Sequence, residues 1–400
     1  MTKPFKYLKF TLMSDKSLYY FIYYFRTTRE EGCQASVFES HSKCGTTSSL
    51  ASVIIPAHNA ERFIEPTLQS ALRQTWNNLE ILVVDDGSTD KTRSMVEAVA
   101  LTDPRIRIFS VPNGGVASAR NIGLARARGE FVAFLDADDL WHPKKIEMQI
   151  AALNAAPEAA ASYGLLRYID ELDRIVENQS ASGSSGYTLA HHLYTRPVGN
   201  GSSLLVRRKI AVELGGYDSS WAARGIGGSE DYDFELKIVA RYPIAFIDSY
   251  LVGYRLYPGN MSSNHARMAY GLIATVEYHL GRNPELPRWF VRKARVVALE
   301  YAATNFFSAR KLGPFLVTLL RLLPVDLTRA TKVLTSALLR LWRFSTKTIR
   351  LPSPGAHFHD LASDAEKTCY VPSPRERKTF ERIKQLDQLL AQRICLRKQA

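Results

Sequence analysis

The sequence predicts an α/β protein with a mostly parallel sheet flanked by helices, followed by a C-terminal helical basic region. Three observations support this prediction. Strand-like and helix-like segments alternate from residue 52, acidic clusters follow or end the strand-like segments, and residues 288–350 are rich in Arg and Lys. Strands that alternate with helices of about 10 to 15 residues are typical of a parallel sheet covered on both faces.

Hydrophobic periodicity gives the order of the elements. The predicted strands are residues 52–56, 80–84, 105–109, 130–135, 160–168, 203–207 and 244–247. The predicted helices are residues 61–74, 89–100, 116–128, 143–153 and 231–241. Residues 178–186 are rich in Ser and Gly and predict a mobile loop beside the sheet.

These patterns predict four parts of the chain. They are a poorly ordered N-terminal extension (residues 1–50), an α/β domain (51–265), a basic amphipathic helical region (266–350), and a polar linker with a terminal helix (351–400).

Composition limits the class of protein. The 400 residues are 46% hydrophobic, which is ample for a globular core and excludes a disordered chain. The four cysteines lack metal-ligand spacing, so we expect neither a zinc site nor a disulfide framework, and we expect a reducing cytoplasm. No apolar stretch reaches the roughly 18 residues of a membrane span, and no signal peptide is evident. The expected location is the cytoplasm, with the inner face of the cell membrane as a peripheral site.

The net charge of +13 is concentrated in one segment. Residues 288–350 contain 13 Lys and Arg against 2 Asp and Glu, which gives +11. Two interpretations of this segment remain open: helices that pack on the α/β domain, or a basic amphipathic surface that lies on anionic lipid. We expect no nucleic-acid partner, because no recognised binding module accompanies the charge.

The first strand is followed by the turn P-A-H-N. Pro56, Ala57, His58 and Asn59 lie where open α/β sheets bind ligands, at the carboxyl end of a strand. The turn lacks the glycines of a dinucleotide fingerprint or a P-loop, which argues against a dehydrogenase or a P-loop NTPase. His58 is either a turn residue with one satisfied nitrogen or a residue that packs on a nucleobase.

The next strand ends in Asp85 and Asp86, within V-V-D-D-G-S-T-D. One carboxylate can cap the turn, and Asp86 is then able to accept an N–H group from a base. Arg120 follows Gly114-Gly115 in the first turns of a helix, where it either neutralises phosphate or orders an acidic residue.

Asp136 and Asp138 form a D-x-D pattern after the strand F-V-A-F-L. Alternate side chains point to one side of an extended chain, so both acids can reach the same ribose, diphosphate or metal ion. Carboxylates gathered at one edge of a sheet repel each other unless a cation joins them. A Mg²⁺ or Mn²⁺ ion bound together with a nucleotide diphosphate is the expected cofactor.

A third acidic cluster, S-E-D-Y-D, opens a predicted helix. Acids are favoured there by the helix dipole, but Glu230, Asp231 and Asp233 exceed that need. A hydroxyl group that attacks must lose its proton, and a positioned carboxylate is a suitable general base. Asp231 is the residue that we expect in that role.

Together these motifs are similar to those of inverting family 2 glycosyltransferases with the GT-A fold. The resemblance covers residues 52–263. It rests on S-V-I-I-P-A-H-N, V-V-D-D-G-S-T-D, G-G-V-A-S-A-R-N-I-G, F-L-D-A-D-D-L-W, the pair G-N-G-S-S-L-L-V-R-R and G-G-Y-D, S-E-D-Y-D-F and Y-R-L-Y-P-G-N-M-S-S, in family order.

The resemblance implies a nucleotide-diphospho-sugar donor, expected to be UDP-linked, and a glycan or lipid-linked acceptor of the cell envelope. It implies that Pro56, His58 and Asp86 border the nucleobase, although His58 replaces a tyrosine common in the family. The remaining implied roles are nucleoside binding for Arg120 and Asp136, metal binding for Asp138, general base for Asp231 and acceptor binding for Glu230.

Two other functions are compatible with parts of the pattern. One is a non-catalytic protein that binds sugar nucleotides or glycans and retains the fold, but such a protein has no need of the third acidic cluster. The other is a nucleotidyltransferase, which would carry a Gly-rich loop with Lys or Arg where this chain has P-A-H-N.

Overall fold

The computed structural model describes residues 49–180, 183–224, 226–346, 355–365 and 372–399. Residues 1–48 of the predicted extension lie outside the described residues, as do residues 181–182 of the Ser/Gly-rich loop.

The strands of the described chain form one mixed sheet. They are β1 (Ala51–Ala57), β2 (Leu79–Asp86), β3 (Ile106–Val111), β4 (Phe131–Phe134), β5 (Leu140–Trp141), β6 (Ala161–Ile169), β7 (Ile175–Asn178), β8 (Leu205–Arg207) and β9 (Ile244–Arg255). Their order is β3-β2-β1-β4-β8-β6-β9-β5, and β7 pairs with β6.

The parallel pairing predicted from the sequence applies to the first half of the sheet. β1 is parallel to β2 and β4, and β2 is parallel to β3. In the second half β6 and β9 are parallel, whereas β8, β5 and β7 pair antiparallel with their neighbours. Antiparallel strands need no helical crossover. The short strands β5 and β7 are therefore not part of the strand–helix alternation from which the other strands were predicted.

Helices cover both faces of the sheet and form the C-terminal part. Those of the α/β layer are α1 (Ile64–Leu72), α2 (Thr92–Ala100), α3 (Val116–Arg126), α4 (Lys145–Ala155), α5 (Leu189–Thr195), α6 (Arg208–Glu213), α7 (Ser220–Ala223) and α8 (Glu230–Val239). They are followed by α9 (His265–Arg282), α10 (Arg288–Ser308), α11 (Leu312–Leu322), α12 (Leu327–Thr346) and α13 (Pro374–Gln399).

The central strands are buried on both faces. Ile54 of β1 faces a core shared with Phe134 and with α3, α5 and α8, whereas its neighbours Val53 and Ile55 face a second core formed with α1 and α4. Side chains alternate between the two faces of a strand, so strands covered on both faces require the continuous apolar runs that this sequence contains.

Part of the C-terminal region packs on the α/β layer. Phe290 of α10 and Leu386 of α13 belong to the same core as Phe134. The carboxylate of Asp387 on α13 accepts hydrogen bonds of 2.7 and 3.1 Å from the amides of Ala190 and His191, in the first turn of α5. A carboxylate at a helix N-terminus satisfies amides that have no partner within the helix, so α13 is attached by polar contacts as well as by apolar packing.

In the described part of the chain, no helix combines the length and the hydrophobicity that a bilayer-spanning segment requires.

Candidate active site

The carboxyl ends of β1, β2 and β4 and the start of α8 border one cavity of about 970 Å³. All the site residues predicted from the sequence line this cavity, although they come from separate stretches of the chain. They are Pro56, Ala57, His58, Asn59, Asp86, Arg120, Asp136, Asp138, Glu230 and Asp231. The parallel order β2-β1-β4 explains most of this convergence, because the carboxyl ends of parallel strands lie at the same edge of a sheet.

The turn after β1 is held against the end of β2. Nδ1 of His58 lies 2.8 Å from the carbonyl oxygen of Asp86, and because a carbonyl can only accept, Nδ1 carries the proton. The amide of Thr89 donates a hydrogen bond of 2.9 Å to Oδ1 of Asn59, whose φ of 48° is in the left-handed region that asparagine tolerates. The His58 ring is therefore oriented by the backbone at the mouth of the cavity.

The two acids at the end of β2 have different roles. Oδ1 of Asp85 accepts a hydrogen bond of 3.1 Å from the amide of Ser88, which closes the turn. The carboxylate of Asp86 lines the cavity, and its two oxygens accept hydrogen bonds of 2.7 and 2.9 Å from the amides of Gly114 and Gly115. Gly115 has a φ of +84°, a conformation that favours glycine. Asp86 is thus fixed in place by the loop that precedes α3.

Arg120 on α3 is a buried cation. Its side chain is 5% exposed, and Nη2 lies 2.5 Å from Oδ1 of Asp136. The guanidinium also lies over the ring of Tyr217, 4.9 Å from its centroid. Burial lowers the pKa of Arg120, but the charges of Asp136 and Asp231 more than compensate and raise it, so the side chain is charged.

Gly201 allows the Arg120 guanidinium to lie against the backbone beside Asp231. A Cβ atom at position 201 would lie 2.8 Å from Nη2 of Arg120 and 3.6 Å from Cβ of Asp231. A side chain there would displace the guanidinium, so glycine is needed for the close approach. Arg120 is therefore paired with the acid at the end of β4, and its charge also acts on the acid on α8.

The loop after β4 is organised by the buried carboxylate of Asp139. It accepts hydrogen bonds from Asn200 and Ser202 at 2.6 and 2.7 Å and from the amide of Arg255 at 3.0 Å. Asp139 is 0% exposed and does not line the cavity, whereas Asp136 and Asp138 do. The third acid of D-A-D-D is therefore structural and positions the other two.

The carboxylate of Asp138 lies in an environment that disfavours its negative charge. Burial, reinforced by the neighbouring charge of Asp136, raises the pKa of Asp138 to about 6. The hydroxyl group of Tyr257 donates a hydrogen bond of 2.9 Å to Oδ2 of Asp138, which opposes this shift. Burial and Asp138 in turn raise the pKa of Tyr257, so its hydroxyl group keeps the proton that it donates.

The donor set at Asp138 suits a hard divalent cation. A cation beside this carboxylate would offset both the burial and the repulsion from Asp136. The described residues contain no group of three or more His, Cys, Asp or Glu side chains that could enclose a metal ion. Mg²⁺ is commonly bound by one or two carboxylates together with substrate phosphates and waters. Asp138 is therefore suited to a cation that binds together with a diphosphate.

The acids at the start of α8 separate into structural and cavity-lining groups. Asp233 is fully buried, with Nε2 of His279 on α9 at 2.9 Å and Nζ of Lys237 on the same helix at 2.8 Å, and the contact with His279 attaches α8 to α9. Asp233 does not line the cavity, so the third acid of S-E-D-Y-D is also structural.

Glu230 and Asp231 do line the cavity. Glu230 accepts a hydrogen bond of 2.7 Å from the amide of Gly228, which fixes its carboxylate at the start of the helix. Burial raises the pKa of Asp231 to about 6, opposed by Arg120 and reinforced by Glu230. A carboxylate with a raised pKa that is still ionised at neutral pH has the properties of a general base.

Sequence reasoning missed two tyrosines and one wall of the cavity. Tyr217 and Tyr257 are part of the motifs G-G-Y-D and Y-R-L-Y-P-G-N-M, but only their contacts with Arg120 and Asp138 show what they do. The far wall is formed by residues of α10 and α12, including Tyr301 and Lys332. No local pattern in these helices indicates that they face a cavity.

Comparison with known proteins relates this chain to one family. Residues 52–215 match the model described as glycosyl transferase family 2. An uncharacterized glycosyltransferase from Haemophilus influenzae is 34% identical over 232 residues, which cover 54% of this chain and 68% of that protein. The Escherichia coli protein WfgD, a UDP-Glc:alpha-D-GlcNAc-diphosphoundecaprenol beta-1,3-glucosyltransferase, is 45% identical over 105 residues, which cover 26% of this chain and 41% of WfgD.

Other relatives are longer. The chain spans 36% of the length of an uncharacterized glycosyltransferase from Rickettsia felis, with 33% identity over 223 residues or 54% of this chain. Among solved structures, S. aureus TarS residues 1–349 in complex with UDP-GlcNAc is similar to it with a TM-score of 0.53 and 21% identity, covering 71% of this chain and 83% of that one. At this level of identity the similarity shows the fold, which agrees with the GT-A fold predicted from the sequence.

Proposed function

This chain belongs to glycosyltransferase family 2, and from that membership we propose that it transfers a sugar from a nucleotide-diphospho-sugar to a hydroxyl group of a glycan or lipid-linked acceptor. The proposal includes inversion at the anomeric carbon, assistance by a divalent cation, and Asp231 as the general base. The observation that carries it is the convergence on one cavity of a fixed carboxylate at Asp86, a cation-suited carboxylate at Asp138 and a carboxylate of raised pKa at Asp231.

The donor is proposed to bind along the carboxyl ends of β1, β2 and β4. His58 and Asp86 would border the nucleobase, together with Pro56, Ala57 and Asn59 of the first turn. Arg120 and Asp136 would contact the nucleoside or its phosphates. The name of the E. coli relative specifies a UDP-linked glucose, which supports UDP as the nucleotide carrier.

Asp138 is proposed to hold a Mg²⁺ or Mn²⁺ ion together with the donor diphosphate. When bound, such an ion stabilises the negative charge on the departing nucleoside diphosphate. The hydroxyl group of Tyr257 keeps the Asp138 carboxylate oriented toward the cavity. The charged guanidinium of Arg120 adds a fixed positive charge beside the same site.

The acceptor is proposed to bind between α8 and the wall formed by α10 and α12. Asp231 would accept the proton of the acceptor hydroxyl group as its oxygen attacks the anomeric carbon, on the side opposite the diphosphate. Such a single displacement inverts the anomeric carbon and needs one carboxylate as the base. Glu230, fixed by the amide of Gly228, would hold the acceptor next to it. The name of the E. coli relative specifies a lipid-linked diphosphate acceptor, which supports an acceptor of that class.

Isothermal titration of the purified protein with UDP, GDP and their common sugar conjugates tests the donor site. We expect one UDP-linked conjugate to bind in the presence of Mn²⁺ and to bind at least tenfold more weakly after addition of EDTA, because Asp138 would then lose its link to the diphosphate. If none of these compounds binds, with or without metal, the donor proposal is wrong and a non-catalytic protein becomes the better interpretation.

The rate of transfer should depend on the protonation of Asp231. A base must be ionised to accept a proton, and burial raises the pKa of Asp231 from 3.8 to about 6. We therefore expect kcat/KM to fall about tenfold per pH unit below pH 6 and to level off above pH 7. The profile should be recorded at saturating Mn²⁺, which keeps Asp138 ionised. A profile that stays level down to pH 4.5 would assign the base to a different group.

A cytoplasmic location is also part of the proposal. The thiol group of Cys395 is exposed and forms no disulfide bond within the described residues, and such a thiol is suited to a reducing compartment.

A further inference from the structure

Helices α11 and α12 expose aliphatic side chains over much of their length. Nine of the seventeen large apolar side chains that are exposed in the described part of the chain lie between residues 312 and 339. The six that define the row, here called the leucine face, are Leu312, Leu316, Leu320 and Leu323 on and just after α11 and Leu334 and Leu338 on α12. Leu312 and Leu320 are 62% and 66% exposed. Exposed apolar side chains concentrated on two successive helices, rather than scattered singly, indicate an interaction site.

The leucine face is not needed for the internal packing of the helices. Residues of α11 that lie three or four apart fall on one side of the helix, so Phe315, Leu319 and Leu322 face inward, where they form a core with Phe306 of α10. Leu316 and Leu320 lie on an adjacent side of the helix and are exposed. α11 is therefore apolar on two sides, and only the inner side has a partner within the described chain.

The charges around the leucine face are positive. Residues 309–350 contain nine Arg and Lys and one acidic residue, Asp326. Arg310, Lys311 and Arg321 are exposed, and none of them belongs to the ion pairs found among the described residues. The leucine face is thus bordered by cations whose charge is not neutralised by a neighbouring carboxylate.

We propose that the leucine face is a docking surface for an anionic lipid bilayer. The leucines would enter the boundary between headgroups and acyl chains, while the neighbouring cations contact the anionic headgroups. The composition favours a bilayer over a second copy of the chain. Two copies joined by this face would bring the same unneutralised cations together, and the face consists of leucine rather than the aromatic residues that are enriched in protein interfaces.

The position of α12 relates this surface to the cavity. One side of α12 lines the cavity through Lys332 and Val333, while Leu334 and Leu338 are exposed. A bilayer on the leucine face would therefore lie next to the acceptor end of the cavity, where a lipid-linked acceptor can enter. This consequence rests on the acceptor proposed above, whereas the docking surface does not.

Co-sedimentation of the full chain with vesicles tests the docking surface without donor or acceptor. The wild-type chain should bind vesicles of phosphatidylglycerol and phosphatidylcholine, and bind pure phosphatidylcholine much more weakly. The double variant Leu316→Gln/Leu320→Gln should lower the partition coefficient about tenfold or more, because two inserted side chains are lost. The matched control Leu101→Gln/Leu172→Gln changes leucines that are 90% and 64% exposed on the α/β layer, and it should bind like the wild type.

A charge-reversal variant, Lys311→Glu/Arg321→Glu, makes the test independent of the leucine substitutions. It should lose binding to the anionic vesicles while its circular dichroism and unfolding temperature stay those of the wild type. Absence of wild-type binding, or equal binding by the Leu316→Gln/Leu320→Gln variant, would overturn the proposal. So would sedimentation equilibrium that shows a wild-type dimer dissolved by the leucine substitutions, because the face would then join two copies.

Discussion

Replacing Asp231 with Asn is expected to lower kcat by about 10² to 10⁴-fold and to leave donor affinity within twofold of the wild type. Removal of a general base has an effect of this size. The amide oxygen of asparagine can still accept the hydrogen bond that the amide of Tyr232 donates to Oδ1 of Asp231, so the local structure should persist. The measurement combines steady-state kinetics with isothermal titration of the donor.

Asp233→Asn is the matched control on the same helix turn. Asp233 is buried between His279 and Lys237 and does not line the cavity, so its replacement should lower the unfolding temperature while the folded fraction stays active. The assignment of the base would be refuted if Asp231→Asn turned over normally. If Asp231→Asn also lost donor affinity, its role would be to position Arg120 rather than to accept a proton.

Replacing Asp138 with Ala is expected to remove the metal dependence of donor binding. In the presence of Mn²⁺ the variant should bind the donor about as weakly as the wild type does in EDTA, a loss of about tenfold or more, because its cation ligand is absent. Contacts on the nucleobase side, at His58 and Asp86, should remain and account for the residual affinity. Titration of the wild type and the variant with the donor, each with and without Mn²⁺, gives the four dissociation constants that are compared.

Tyr257→Phe is a control that keeps the proposed metal ligand Asp138 and removes only the hydrogen bond that orients it. It removes the hydroxyl group that donates to Oδ2 of Asp138 and leaves the ring packed on Phe63, with a centroid distance of 4.7 Å. Loss of a residue that orients a metal ligand typically costs about 10 to 100-fold in metal affinity. We therefore expect weaker Mn²⁺ dependence but not its absence. If the Asp138→Ala variant still binds the donor more tightly with Mn²⁺ than without it, the cation ligand must be a residue other than Asp138.

The sequence predicted the cavity-lining residues at the ends of β1, β2 and β4 because they follow strands. Asp86 and Asp136 come directly after or at the end of continuous apolar runs, and β1, β2 and β4 are parallel neighbours. A side chain at the carboxyl end of such a strand lies at one edge of the sheet. The hydrophobic run therefore predicts its position once the strands are known to be parallel. The alternation of side chains after β4 also paired Asp138 with Asp136, and both line the cavity, whereas Asp139 is buried in the interior.

Other features depend on residues that are distant in the sequence. Asp139 is held in the interior by hydrogen bonds from Asn200, Ser202 and Arg255, each more than 60 positions away in the sequence. The two-residue strand β5 and the four-residue strand β7 are too short to give a periodic signal. The helical wall of the cavity forms because α10 shares one core with Phe134 and a second core with α12. Such contacts depend on the packing of elements that are distant in the sequence, so a short segment of the sequence does not predict them.

The sequence by itself determined the α/β class, the order of strands and helices up to β4, and the set of acidic residues available for chemistry. These follow from hydrophobic period and turn chemistry, which act over a few residues. Only the tertiary structure decided how these acids are held, because hydrogen bonds from distant residues fix Asp139 and Asp233 in the interior, while Asp138 and Asp231 line the cavity. It also raised the pKa values of Asp138 and Asp231 to about 6, since desolvation depends on everything that surrounds a carboxylate in space.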